Sequence, residues 1–433
     1  MTSPPLCSFE KTDFRGWPAV YLRNGLVTLA AVPDIGGRLM AYNLGDYPFL
    51  FVDPDLAGKL FSEEQNQGDG SLAAWKNYGG DKTWPSPQGW DNEAQWHGPP
   101  DPVLDTGRYR LQGLQCGDRA VALQMVSPPD LRTGVQITRQ VTLYQGGSRV
   151  VLDLSFTNIS ERQVRWSIWD VAQLYAGRSV PGGELEPETA CSVTVPLHPN
   201  SRFQRGFYVM FGDERNPQWT VDAEKGLFVG RYLWEIGKVG IDSPAGWIAF
   251  SNAAAGCAFT EQFTVFPDAE YPDQGATVEC WTVGRGKVAN LDYEQSQIYL
   301  METEVLSPFY SFKPGESRSF QIEWGACRCA GQIVDVSEAG CIHQPLALER
   351  VTDGLTLRGS FGVFDVGRLQ LAWRDHLGGE LGSLSLGEVS PLAAVQLTQV
   401  VQPPPQAASL ELQVVADVDG LQRKLASCPL KGV

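Results

Sequence analysis

Between Val135 and Trp169 apolar and polar residues alternate in three successive runs. Val135, Ile137, Val141 and Leu143 mark the first run, Val150, Leu152, Leu154 and Phe156 the second, and Val164, Trp166 and Ile168 the third. Gln145-Gly146-Gly147-Ser148 and the segment from Asn158 to Arg162 separate them. A period of two sends alternate side chains to opposite faces, so the pattern predicts a three-stranded antiparallel meander with one face buried. No comparable window carries the 3.6-residue period of an amphipathic helix, and the chain reads as all-β.

The last strong alternating run, Ser319–Trp324, precedes a segment that holds three of the nine cysteines. Residues 331–346 are expected to be a linker. Beyond it, short runs at Leu355–Leu357, Leu369–Trp373, Val395–Leu397 and Leu410–Val414, punctuated by Pro403-Pro404-Pro405, predict a small immunoglobulin-like β-sandwich over residues 347–433. The larger all-β domain then spans residues 1–330.

Composition narrows the function classes. Gly 46 and Pro 29 suit many short strands joined by turns. A net charge of −16 opposes binding to nucleic acid or to an anionic membrane surface, and favours a neutral or cationic ligand. No apolar stretch is long enough to span a bilayer. The first residues lack a basic patch followed by an apolar run, and the odd count of nine scattered cysteines suits reduced thiols, so a cytoplasmic protein is expected.

Trp75, Trp84, Trp90 and Trp96 fall close together in a polar, Gly/Pro-rich segment. An indole offers a flat apolar surface to the C–H face of a sugar ring and an N–H to a hydroxyl; as core filler, four such rings so close together are hard to bury. The same segment holds Lys76-Asn77-Tyr78-Gly79-Gly80-Asp81-Lys82, where paired glycines permit a sharp turn or a close backbone approach beside donors, acceptors and a cation. Its spacing is not that of a phosphate loop. A hydrogen-bonded structural loop is the bland alternative.

Four motifs, in order, resemble the galactose mutarotase (aldose 1-epimerase) superfamily. They are Ile35-Gly36-Gly37-Arg38-Leu39, the Asn77-Tyr78-Gly79-Gly80 loop, the Thr157-Asn158-Ile159-Ser160 turn, and Leu300-Met301-Glu302-Thr303-Glu304 followed by Pro314-Gly315-Glu316. The resemblance covers about residues 15–328. It implies an antiparallel supersandwich, ahead of the small sandwich, with a carbohydrate cleft on a concave face. It also implies that Glu302 is the base that takes the proton of the anomeric hydroxyl. Both histidines of that family are replaced: Tyr78 stands in the first motif and Asp170 near the second.

Glu302, Asp170 and Tyr78 are therefore the candidate catalytic residues, with Glu302 and Glu304 two apart on one strand face. Paired carboxylates can divide into acid and base roles, and Lys82 or Tyr78 could donate the proton. Arg38, Asn77, Lys82, Trp84, Trp90, His97, Gln173 and Glu304 are the candidate sugar-binding residues, and His97 could instead replace a missing histidine as donor. The expected partner is a small-molecule carbohydrate, bound and worked on at the anomeric centre. A non-catalytic carbohydrate-binding protein and a glycan-cleaving hydrolase or lyase are the alternatives. No cofactor or metal is expected. The acidic turn from Phe266 to Asp273 lacks calcium-loop spacing, and Cys327-x-Cys329 with Cys341-x-His343 is tighter than structural zinc sites. Everything depends on the glycine-pair loop and the Glu302 strand, more than two hundred residues apart, meeting across one hollow.

Overall fold

A computed structural model describes residues 6–430 apart from Trp90, Gln295 and Asp353. Among these, Glu63–Gln67 is the single α-helical segment, and no helix is long and apolar enough to cross a membrane. The predicted all-β sandwich is the observed architecture. Up to Arg328 the chain forms one twelve-stranded and one ten-stranded antiparallel sheet. A continuous core lies between them, drawing Leu22, Leu29, Tyr42 and Leu174 from one sheet and Leu123, Ile137, Leu152 and Trp324 from the other.

The first two alternating runs form the strands Val135–Tyr144 and Val150–Asn158, with every second side chain buried along both. They pair as a hairpin. The third run departs from the expected meander. Val150–Asn158 takes Ser317–Arg328 as its other neighbour, while Val164–Tyr175 crosses to the opposite sheet. The reason is its position: from Trp166 to Leu174 that strand is buried on both faces, which marks a central strand of the other sheet. At the crossover Asn158 donates through Nδ2 to the carbonyls of Arg162 (2.7 Å) and Phe312 (3.0 Å), and its own carbonyl accepts from Gly315 (2.8 Å). The Asn158 turn and the Pro314-Gly315-Glu316 turn thus hold each other.

Six strands of the twelve-stranded sheet frame the hollow described below: β1 (Arg38–Leu44), β2 (Asp81–Ser86), β3 (Val164–Tyr175), β4 (Gly237–Ile241), β5 (Val278–Thr282) and β6 (Leu300–Leu306). Across the sheet their order is β1-β2-β3-β6-β5-β4. Gly79 and Gly80 open β2 with φ of 92° and 73°. A Cβ on them would stand 2.3 Å from the Phe51 carbonyl oxygen and 2.5 Å from that of Leu39. The glycine pair therefore lets β2 close on its neighbouring backbone segments.

From Asp335 to Pro429 two four-stranded sheets enclose a second core that includes Leu357, Phe361, Leu371, Trp373, Leu412 and Val414. Each of the four short runs expected in this part is a strand, lengthened to Gly354–Val363, Gly367–Arg374, Val395–Val401 and Ser409–Ala416. Residues 331–346, read as a linker, already contain Asp335–Val336 and the start of Gly340–Val351. Ser148 donates its N–H to the Phe364 carbonyl (2.7 Å), and Arg149 bridges Glu323 and Asp365, which ties the small sandwich to the large one.

Candidate functional site

Residues directly opposed in an antiparallel ladder share a face, so register alone sorts the polar residues of β2, β3, β5 and β6. Lys82 opposes Val171, Trp84 opposes Trp169, Gln173 opposes Glu302, and Val171 opposes Glu304. Trp281 opposes Glu302, Glu279 opposes Glu304, and Lys238 opposes Trp281. These side chains all point away from the second sheet. Asp81, Thr83, Asp170 and Thr303 belong to the other parity and point into the sandwich.

On the outward face, Lys82 lies 3.3 Å from Glu302 Oε1, and Gln173 donates through Nε2 to the same oxygen at 2.6 Å. Lys82 is 1% exposed and its ammonium sits over the rings of Trp84 (4.7 Å) and Trp75 (6.0 Å). Burial lowers its pKa, and the Glu302 carboxylate opposes that shift. Glu302 keeps 11% of its side chain exposed.

Across β6 stands a second charged group. Lys238 reaches Glu279 Oε2 at 2.6 Å and Glu304 Oε2 at 2.9 Å, and its ammonium lies 4.4 Å from the Trp169 ring centroid. Trp169 Nε1–H also donates to Glu304 Oε2 (2.9 Å). Burial works to lower the Lys238 pKa, but Glu279 and Glu304 outweigh it and hold the ammonium charged. Burial pushes both glutamates upward.

A pocket of about 140 Å³ opens over these groups, lined by Trp75, Trp84, Trp169, Trp281, Lys238 and Glu302 together with Leu72, Gln88, Pro99, Val288, Leu291 and Tyr293. The volume is below the roughly 300–1,000 Å³ of drug-sized pockets, which suits one small ring. A larger hollow of about 810 Å³ lies where the outermost strands Ser8–Phe14 and Arg110–Cys116 splay apart. Its lining includes Lys11, Asp34, Arg108 and Arg110 from exposed edges, so size alone does not locate the chemistry. The indole walls and buried ion pairs do.

A family model described as a domain of unknown function, DUF4380, matches residues 18–327, which hold the whole of this pocket. The chain belongs to the DUF4380 family. No curated protein matches it. Among solved structures, the DUF4380 chain is similar to a galactose mutarotase-like protein from Clostridium acetobutylicum (11% identity, TM-score 0.46, 75% of this chain and 99% of that one). It is also similar to a galactose mutarotase-like protein from Lactobacillus casei (12% identity, TM-score 0.44, 71% and 99%). A third is a TPR-domain containing protein from Parabacteroides distasonis (12% identity, TM-score 0.42), of which it spans 46%, with 71% of this chain covered.

Within the DUF4380 domain the structure brings together Glu302, Lys82, Trp84, Gln173 and Glu304. Arg38 stands one layer behind: it is ion-paired with Asp105 and donates to the Gly79 carbonyl (2.9 Å), while Asp105 Oδ2 accepts from Trp75 Nε1 (2.8 Å). It supports a pocket wall and is itself fully buried. Asn77 Oδ1 accepts from the Gly79 N–H at 3.4 Å, within the loop.

Three expected members stand elsewhere. Asp170 is completely buried between the sheets, accepting from Thr83 Oγ1 (2.7 Å) near Arg139, because its place in the β3 ladder is of the opposite parity to Gln173. It does not join Glu302. Tyr78 packs edge-on against Trp17 (5.9 Å) in a small core with Phe14 and Met40, and burial pushes its phenol up to about 12. His97 is exposed and borders another hollow, with Arg132, Arg162 and Trp166. Trp90 lies outside the described residues. Trp96 is buried behind Trp84 (4.9 Å) and donates to Asp101 (2.8 Å).

Sequence reasoning missed Trp169, Trp281, Lys238 and Glu279. The last three lie on five-residue strands, too short to show a period. For Trp169 a signal existed: it sits an even number of residues from Gln173, so any placement of Gln173 at the site carries it along.

Proposed function

We propose that this protein binds a single sugar ring in the tryptophan-walled pocket and performs acid–base work at its anomeric centre, with Glu302 as base. One observation carries the reading: the Glu302 carboxylate and four indoles line one small hollow, with the buried Lys82 ammonium, from a segment 220 residues away, paired to that carboxylate beneath it. The indoles offer flat apolar faces to ring C–H groups. Glu302, oriented by Gln173 and Lys82, accepts the proton of the anomeric hydroxyl. Lys82, whose burial makes it the readier acid, gives a proton to the ring oxygen as the bond from that oxygen to the anomeric carbon breaks. The open aldehyde turns and recloses with the proton movements reversed, which restores the Glu302 carboxylate and the Lys82 ammonium. The motif resemblance agrees with this assignment of Glu302. Nine free thiols support a reducing, cytoplasmic setting.

Exchange between the two anomers, read by NMR on a sugar shown to bind, tests the proposal. Glu302→Gln should slow catalysed exchange at least about a hundredfold, the low end for a positioned base. Undiminished exchange in that variant removes Glu302 from the chemistry. A second reading, binding without turnover, is favoured by the two hydrogen bonds that already occupy Glu302 Oε1. Wild-type protein that binds a sugar without speeding its exchange would establish it.

A further inference from the structure

The pocket has two charged walls of similar construction. On one, Lys82 pairs with Glu302 and lies on Trp84; on the other, Lys238 pairs with Glu304 and lies on Trp169. The two indoles meet edge to face between them, ring centroids 5.5 Å apart. The second wall adds a further carboxylate, Glu279, directly across the ladder from Glu304. Glu279 and Glu304 are essentially inaccessible, whereas Lys238 keeps 15% of its side chain exposed and lines the pocket.

Each cation near the hollow has a carboxylate partner among the described residues: Lys82 has Glu302, Lys238 has Glu279 and Glu304, and Arg38 has Asp105. A site built to clamp phosphate or carboxylate needs a cation whose charge is not already cancelled. Here carboxylates outnumber cations. The Oε1 atoms of Glu279 and Glu304 and the Oε1 of Gln173 are buried acceptors without a partner, while Trp84 Nε1 is an unmatched donor on the same face. Two facing carboxyls can bond each other only if one carries a proton, and their burial favours that. Glu279 and Glu304 therefore act as a charge-cancelling base under Lys238, whose third N–H is available to a neutral acceptor.

Resting on the sugar reading, we propose that Lys238, backed by Glu279 and Glu304, is a second ligand-reading centre facing Glu302. It donates a hydrogen bond to a hydroxyl of an uncharged ring and turns away sugars that carry phosphate or carboxylate.

Binding is measured through tryptophan fluorescence and calorimetry, with glucose, galactose and mannose beside glucuronate, galacturonate and the 6-phosphates of glucose and galactose. The expected result is that a neutral sugar binds and its anionic counterpart binds at least about tenfold more weakly, a difference of about 1.4 kcal/mol. Replacing Lys238→Met together with Glu279→Gln and Glu304→Gln removes the cation with both of its carboxyls and should weaken the neutral sugar by about tenfold, with the melting temperature checked alongside. An anionic sugar that binds as tightly as the neutral one, or a triple variant with unchanged affinity, overturns the role of Lys238 while leaving the pocket a sugar site. Wild-type protein that binds none of the panel overturns the sugar reading itself.

Discussion

Strands β2, β3 and β6 together place charge on both faces of one sheet, and the two faces use it differently. Outward, Lys82 and Glu302 meet under a pocket, and Glu302 retains contact with solvent. Inward, one residue away on each strand, Asp81 and Asp170 are sealed around Arg139, with Glu261 joined to Thr303 and to Trp324 nearby. The inner group is fully inaccessible. Neighbouring residues thus have opposite tasks: the inner charges pin the two sheets together, while the outer pair stands at the hollow, with Glu302 open to whatever enters it. The contrast separates a buried network, which must balance itself, from a site that can be completed by a ligand.

The largest effect should come from the inner face. Arg139 pairs with Asp81, donates to the carbonyls of Gly37 (2.9 Å) and Asp81 (3.2 Å), and lies 3.9 Å from Asp170. Arg139→Met leaves the buried Asp81 without its counter-charge beside Asp170, whose carboxyl is already pushed well up by burial and by Asp81, and this should cost about 3–5 kcal/mol in chemical denaturation. Adding Asp81→Asn and Asp170→Asn should recover much of that loss. A single variant of near wild-type stability would break the comparison, because the inner network would then pin nothing.

Next comes pH. Burial pushes the Glu261 carboxyl up to about 8 from an ordinary value of 4.5. Between these values the folded chain binds more protons at this residue than the unfolded chain does. Its contribution to stability is therefore full below about pH 4.5, falls as pH rises, and is lost through about pH 8. The slope is at most about 1.4 kcal/mol per pH unit. Glu261→Gln should flatten this part of the stability–pH curve and leave the variant the more stable protein at alkaline pH. An identical slope in both proteins would remove Glu261 from the account.

The meeting of Lys82 with Glu302 was legible in the order of motifs, since the glycine-pair loop and the Leu300–Leu306 strand both belong to the pattern the chain resembles. The exclusion of Asp170 was not. Whether Asp170 or its neighbour Trp169 faces Glu302 depends on a register between strands about 130 residues apart, and a one-residue slip exchanges the faces. The strand itself hides its parity: burial on both faces erases the alternation that made Val135–Tyr144 and Val150–Asn158 easy to find. The same loss explains why its third-strand role in a meander was misjudged. Tyr78 was drawn to the site by its place beside Gly79, yet those glycines serve close packing against Phe51 and Leu39, and the turn they make sends the phenol toward Trp17.

The smallest stability effect is expected at the pocket wall, where the comparison can be sharpened most. Trp281 is only partly buried, opposes Glu302 across the ladder, and packs against Phe211 with ring centroids 5.8 Å apart. If its indole is there to meet a ligand, Trp281→Leu removes stacking surface and little core, so stability should fall by no more than about 1 kcal/mol. Affinity for the sugar that binds should drop severalfold, as expected when an aromatic contact of about 0.5–1.5 kcal/mol is removed. The two readouts must move apart: a denaturation midpoint close to wild type beside a weakened titration. If instead the variant loses as much stability as Arg139→Met and binds as before, the outward tryptophans are core in the same sense as the inward charges. The sheet would then have one kind of face, not two.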